Sequence, residues 1–273
     1  MDAQTRRAQA FKALHERNEA FVIPNPWDAG SAKMLASQGF EALATTSAGY
    51  AFSRARPDGG LTLEQTLENV RAIVAATDLP VAVDLENGFA DDPVECAQSI
   101  LQAAAAGAVG GSIEDATGRP DTPIYCFDHA VARIEAAVAA ARSLPFTFMV
   151  TARAENFLRG NPDLDDTIRR LQAFSEAGAD VLYAPALRSP EDVLAVVRAV
   201  APKPVNVLMS GGLKLTVQQL SEMGVRRVSV GSALALAALG EFYRAAEEIK
   251  TSGTFTFTSR SMPYAQANQL FEG

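Results

Sequence analysis

The run Val81-Ala82-Val83-Asp84-Leu85-Glu86-Asn87-Gly88 climbs through apolar residues to two acids and then breaks on Asn-Gly. Read as a buried strand, side-chain alternation sends Asp84 and Glu86 to one face. Two carboxylates leaving an apolar wall side by side repel one another unless a cation stands between them. An all-oxygen ligand set suits a hard ion such as Mg2+. The other reading of the same pair is a helix cap beside a solvated acid. Further acids widen the set: Asp58 in Pro57-Asp58-Gly59-Gly60, Glu114 and Asp115 in Ser112-Ile113-Glu114-Asp115, and Glu155 beside Arg153 in Thr151-Ala152-Arg153-Ala154-Glu155. Singly, Asp58 reads as a turn residue and Glu114 as a structural partner for Arg153. Together, Asp58, Asp84, Glu86 and Glu114 around Arg153 make a poor solvent surface but a good divalent-cation site for an anionic oxygen substrate.

Such a set needs a frame that brings distant segments to one rim. Short runs rich in Val, Ile, Leu and Phe recur at residues 21–23, 42–46, 81–84, 110–114, 146–151, 181–183, 205–208 and 228–230. Helical patterns alternate with them at 30–37, 63–76, 93–106, 129–141, 165–177, 190–200, 216–223 and 233–250. Glycines at 107, 178 and 224 close three of these helices. Eight βα units in one chain of this length favour an α/β fold of the (β/α)8 TIM-barrel type over an open sheet. A further helix over residues 4–17, with Ala8, Phe11 and Leu14 on one side, precedes the first strand and can plug or flank the barrel. The expected organisation is a catalytic barrel over 1–250 and a tail over 251–273 whose apolar residues call for burial in a subunit contact.

In a barrel, catalytic groups sit where strands end. Thr46, Ser47, Ala48 and Gly49 follow the second strand and offer a hydroxyl and unhindered backbone N–H groups to a carboxylate. Asn206 follows on the seventh strand, as a rim ligand or as an interior hydrogen bonder. The long stretches 48–60 and 116–128 leave the same face, and long loops in compact domains are commonly functional.

The chain has 273 residues, 48% hydrophobic and 21% charged, with a formal net charge of −8. That balance argues against nucleic acid or an anionic membrane as partner. Two cysteines, Cys96 and Cys126, and two histidines, His15 and His129, supply neither a disulfide framework nor a soft-metal motif. With no long apolar span and a polar, helix-like start, a cytoplasmic protein is expected.

The order Thr-Ser-Ala-Gly, Pro-Asp-Gly, Val-Asp-Leu-Glu-Asn-Gly-Phe, Ser-Ile-Glu-Asp and Ala-Arg-Ala-Glu resembles the isocitrate lyase/phosphoenolpyruvate mutase superfamily over residues 21–250. The resemblance implies a Mg2+-dependent carbon–carbon lyase, with Mn2+ as a substitute, acting on 2-oxo or hydroxy carboxylates by enolate chemistry. It implies a homotetramer of dimers with exchanged C-terminal helices. Asp84 would be the direct metal ligand, with Asp58, Glu86 and Glu114 holding the ion's waters. Ser47, with the Ala48 and Gly49 backbone, would hold the substrate carboxylate, and Arg153 a substrate oxygen. Arg153, Ser47 and Glu114 are thus the expected catalytic groups.

The chain departs from that pattern in the half of the site that selects the leaving group. Lyases that cleave isocitrate or methylisocitrate carry Lys-(Lys/Arg)-Cys-Gly-His after strand four, whereas residues 117–129 contain only Cys126, read as a small buried residue rather than the lyase acid. Their Phe-Pro-Glu-Ala is replaced by Tyr183-Ala184-Pro185-Ala186, and the mutase gating loop is absent. Oxaloacetate decarboxylation, phosphonopyruvate hydrolysis and non-catalytic binding of a 2-oxo dicarboxylate such as 2-oxoglutarate therefore stand beside the lyase reading.

Overall fold

The computed structural model describes residues 2–272. Eight parallel strands, β1 (Phe21–Ile23), β2 (Leu43–Ala44), β3 (Val81–Asp84), β4 (Gly110–Glu114), β5 (Met149–Arg153), β6 (Val181–Tyr183), β7 (Val205–Leu208) and β8 (Arg227–Ser229), run in the order β1-β8-β7-β6-β5-β4-β3-β2. At the seam the Ala44 N–H donates to Pro24 O at 3.1 Å, which brings the two ends together. The result is the (β/α)8 TIM barrel expected from the eightfold alternation. Parallel strands covered on both faces must be apolar throughout, and the buried run Val81-Ala82-Val83 obeys this.

The outer ring comprises α2 (Ala29–Ser37), α3 (Ser47–Ser53), α4 (Leu63–Ala75), α5 (Pro93–Ala105), α6 (Phe127–Arg142), α7 (Leu164–Glu176), α8 (Pro190–Val200), α9 (Val217–Glu222) and α10 (Ala233–Ser252). Caps fix where several begin: Thr62 and Gln65 form a reciprocal box on α4, as do Ser189 and Asp192 on α8. A preceding helix, α1 (Ala3–His15), closes the end of the barrel opposite the acids. Phe11 is fully buried, in a cluster with Phe21, Ile23, Val109 and Met149. Gly110 makes room for it: a Cβ there would lie 2.8 Å from the Phe11 ring.

Two local expectations change. The second strand covers only two residues, because Thr46 leaves the ladder to cap a helix. The stretch 48–60, read as a loop, begins inside that helix, α3. Beyond α10 a 3-10 turn (Thr256–Arg260) leads to α11 (Tyr264–Phe271), which lies against α2 with the Phe271 ring near Gly30. Among the described residues no helix is long and apolar enough to cross a membrane.

Candidate active site

β3 ends at Asp84, and the pleat does not deliver Glu86. Glu86 sits in the left-handed region at φ 49°, uncommon for a residue with a side chain. The Leu85 N–H still donates to Ser112 O at 3.2 Å, and Glu86 O accepts from the Glu114 N–H at 2.9 Å. Glu86 therefore reaches the rim on a turn pinned to β4. The two acids arrive together, brought there by this turn and not by strand alternation.

Asp84 is the most heavily bonded of them. Its Oδ2 accepts the Ser47 hydroxyl at 2.8 Å; its Oδ1 accepts from Arg153 at 3.0 Å and from Ser112 Oγ at 3.3 Å. The Arg153 guanidinium is shared by three acids, lying 3.0 Å from Asp84, 3.0 Å from Glu114 and 2.8 Å from Glu155. Burial acts to lower its pKa, but Glu155, Glu114 and Asp84 together more than reverse this and keep it charged.

The rim holds more carboxylate than its arginines neutralise. Burial, reinforced by Asp84, Glu114 and Asp58, pushes Glu86 up to about 8. Burial also raises Glu114 against the pull of Arg153, and raises Asp58, with Asp84 adding to it. Glu86 Oε1 is buried with no hydrogen-bond partner, which is costly unless a proton or a cation is supplied.

Two adjoining cavities share Ser47, Asp58, Asp84 and Arg153. The outer one, about 570 Å³, is also lined by Glu86, Phe89, Glu114, Thr117, Leu158 and Arg159. The inner one, about 150 Å³, descends into the barrel past Thr45, Thr46, Ala48, Asn206 and Arg227. All four acids expected to hold a metal thus border one continuous space. Among the described residues, no three carboxylate, imidazole or thiol side chains converge closely enough to bind an ion by themselves. The donor set fits a hard cation that keeps several of its waters, as Mg2+ does, and not a fully protein-ligated one. Within that limit Asp84, Asp58, Glu86 and Glu114 fit the ion.

The remaining expected residues divide. Thr46 caps α3, its hydroxyl accepting from the Gly49 N–H at 3.2 Å. Gly49 faces away from the cavities, packed between Trp27 and Ala235. Asn206 lines the inner cavity and is bonded within the barrel: its Oδ1 accepts from Arg227 at 2.8 Å and its Nδ2 donates to Ser229 Oγ at 2.9 Å. Cys126 is exposed at the start of α6 and lines neither cavity, so it is neither the buried residue anticipated nor part of the site.

Arg159 was missed. It donates to Glu114 at 3.0 Å and lines the outer cavity. The signal available was its i,i+4 spacing from Glu155 in Glu155-Asn156-Phe157-Leu158-Arg159. Stretch 116–128 also proves ordered: Ala116 pairs with Ile124, and Arg119 meets Asp91 at 2.8 Å, fastening the loop beside the outer cavity.

The model of the phosphoenolpyruvate phosphomutase family matches residues 11–250. The chain is 32% identical to a Corynebacterium glutamicum protein provisionally named 2-methylisocitrate lyase 2, over 93% of this chain and 84% of that one. A provisionally named lyase/mutase of Burkholderia cenocepacia superposes with a TM-score of 0.97 at 58% identity, covering 100% of this chain and 98% of that one. A phosphonopyruvate hydrolase in complex with oxalate and Mg2+ superposes with a TM-score of 0.86 at 26% identity, covering 97% and 94%.

Proposed function

We propose, from the premise that this chain belongs to the phosphoenolpyruvate phosphomutase family, that it is a Mg2+-dependent enzyme making or breaking a C–C bond beside the carbonyl of a 2-oxo acid. The observation that carries this reading is the convergence of Asp84, Glu114 and Arg153 beside Glu86, whose Oε1 lacks a partner. Asp84 would ligate the ion, with Asp58, Glu86 and Glu114 holding its waters. When bound, the ion supplies electrophilic stabilisation of negative charge developing at the substrate's C2 oxygen.

The protein's own groups supply position and charge. Ser47, on leaving Asp84, would donate its hydroxyl to the substrate carboxylate, and Ala48 lines the cavity next to it. Arg153 fixes Asp84 and Glu114 relative to one another and keeps a positive charge beside the reacting oxygen. The inner cavity, about 150 Å³ and lined by Thr45 and Asn206, would take the carbon chain of a short 2-oxo acid.

A second reading, decarboxylation of oxaloacetate or hydrolysis of phosphonopyruvate, is favoured by the leaving-group half. Cys126 lies outside both cavities, and no acid occupies 183–186. The third is a binder of 2-oxo dicarboxylates without turnover. Release of pyruvate or glyoxylate from methylisocitrate- and malate-like adducts, with and without EDTA, tests the first reading. Metal-dependent CO2 or phosphate release in its place would establish the second, and binding without turnover the third.

The protein would work as a homotetramer. Over its 20 residues α10 buries only Ala235, leaving Leu236, Leu239, Phe242 and Tyr243 exposed. A stripe of this kind belongs against another subunit, while α11 rests on α2 of its own chain.

A further inference from the structure

We infer that Arg159 is the specificity-determining residue that recognises a second anionic group, making the preferred ligand a 2-oxo or 2-hydroxy acid with a further carboxylate. The inference rests on the function proposed above and deepens it.

The argument starts from what Arg153 has left to give. A guanidinium offers five N–H donors. Those of Arg153 serve Asp84, Glu114 and Glu155, and the side chain is 12% exposed. It fixes the acids and has little left for a ligand. Arg159 is the reverse case: it donates one hydrogen bond, to Glu114 at 3.0 Å, and meets Glu155 only at 3.7 Å. Its side chain is 37% exposed, and it lines the outer cavity. Most of its donors therefore remain available in the space that Asp84 and Ser47 also border.

Its position fits an anion held at a distance from the reacting end. Glu114 spans the two arginines, one carboxylate oxygen to Arg153 and the other to Arg159. Arg159 thus stands one carboxylate's width outward from the group that orders the acids. Leu61, Phe89 and Leu158 supply the apolar part of a mostly polar lining, against which the carbons joining the two anionic ends would rest. A planar fork with free donors is the group suited to bidentate recognition of a carboxylate.

Calorimetric titration of the full-length, Mg2+-saturated protein with 2-oxobutanoate and with 2-oxoglutarate tests this. The wild type is expected to bind the dicarboxylate at least tenfold more tightly. Arg159→Met should bring the ratio near one, weakening 2-oxoglutarate at least tenfold more than 2-oxobutanoate. Arg159→Lys, which keeps the charge but not the fork, should retain part of the preference. Equal binding of the two acids by the wild type would overturn the inference while leaving the proposed function standing. So would equal loss of both acids in Arg159→Met, which would make the residue a tether for Glu114. Absence of Mg2+-dependent binding of either acid to the wild type would remove the proposed function and this inference together.

Discussion

Ser47 and Asp84 are joined by a 2.8 Å hydrogen bond from the Ser47 hydroxyl to Asp84 Oδ2, linking the first residue of α3 to the last of β3. On the proposed function, that hydroxyl would turn from Asp84 to the substrate carboxylate, leaving Asp84 free to hold Mg2+. Ser47→Ala should weaken Mg2+-dependent binding of pyruvate ten- to a hundredfold, in line with about 1.5–3 kcal/mol for a hydrogen bond to a charged group. Calorimetry on the Mg2+-saturated variant gives the answer. Pyruvate affinity equal to that of wild type would confine the hydroxyl to a structural tether.

The metal proposal makes its own demand. Mg2+ at a hundred times its dissociation constant should add about 2.7 kcal/mol to the stability of the folded protein, and so raise its thermal midpoint. Asp84→Asn should abolish that increment, since the amide lacks the charge that draws the ion. A midpoint rise of the same size in the variant would move the cation away from Asp84.

How far these features could be read from sequence depends on their range. The eightfold alternation was legible because strands covered on both faces must be apolar, and Val81-Ala82-Val83 announces one by composition alone. Asp84 and Glu114 were legible as a pair because barrel strands deliver their final residues to one rim. The way Glu86 arrives was not legible, since a positive φ at a non-glycine residue is set by the Glu114 N–H and the β4 ladder. Nor were the partners of Asn206: Arg227 and Ser229 come from a strand about twenty residues on, and side-chain pairing across a barrel interior leaves no local pattern. Arg159 left only its i,i+4 spacing from Glu155, a pattern that a solvated ion pair on a surface turn shows equally.

His15 sets a pH dependence remote from the acids. Its ring lies edge-on to Phe11 and Phe21, Nδ1 donates to Phe11 O at 2.8 Å, and Nε2 faces Arg227 at 3.5 Å. Burial, with Arg227 beside it, holds its pKa down to about 3. The unfolded chain, at its ordinary value of about 6.5, binds a proton that the folded chain refuses. The contribution to stability is therefore intact above pH 6.5 and is lost as pH falls from there toward 3. Between pH 7.5 and 5 the wild type should lose about 2 kcal/mol more than His15→Gln, measured by urea denaturation. Parallel losses in the two proteins would show that the imidazole takes up its proton without unfolding.

Assembly is open to a direct test. Phe242 is 74% exposed on α10 and borders a cavity of about 220 Å³ with Trp27 and Leu239. Phe242→Asp should dissociate the proposed tetramer, read as native mass by light scattering, with little change in the helical content of the separated chains. A wild-type protein that runs as a monomer at micromolar concentration would dispose of the tetramer outright.

The seating of Phe11 beneath Gly110 has a consequence for traffic. With α1 covering the far end of the barrel, the described residues leave Asp84 open to the rim side, where a molecule would both arrive and depart. A reaction that splits its substrate in two must then discharge the fragments in sequence, the shallower one ahead of the deeper one. A new substrate waits until the doorway has emptied twice.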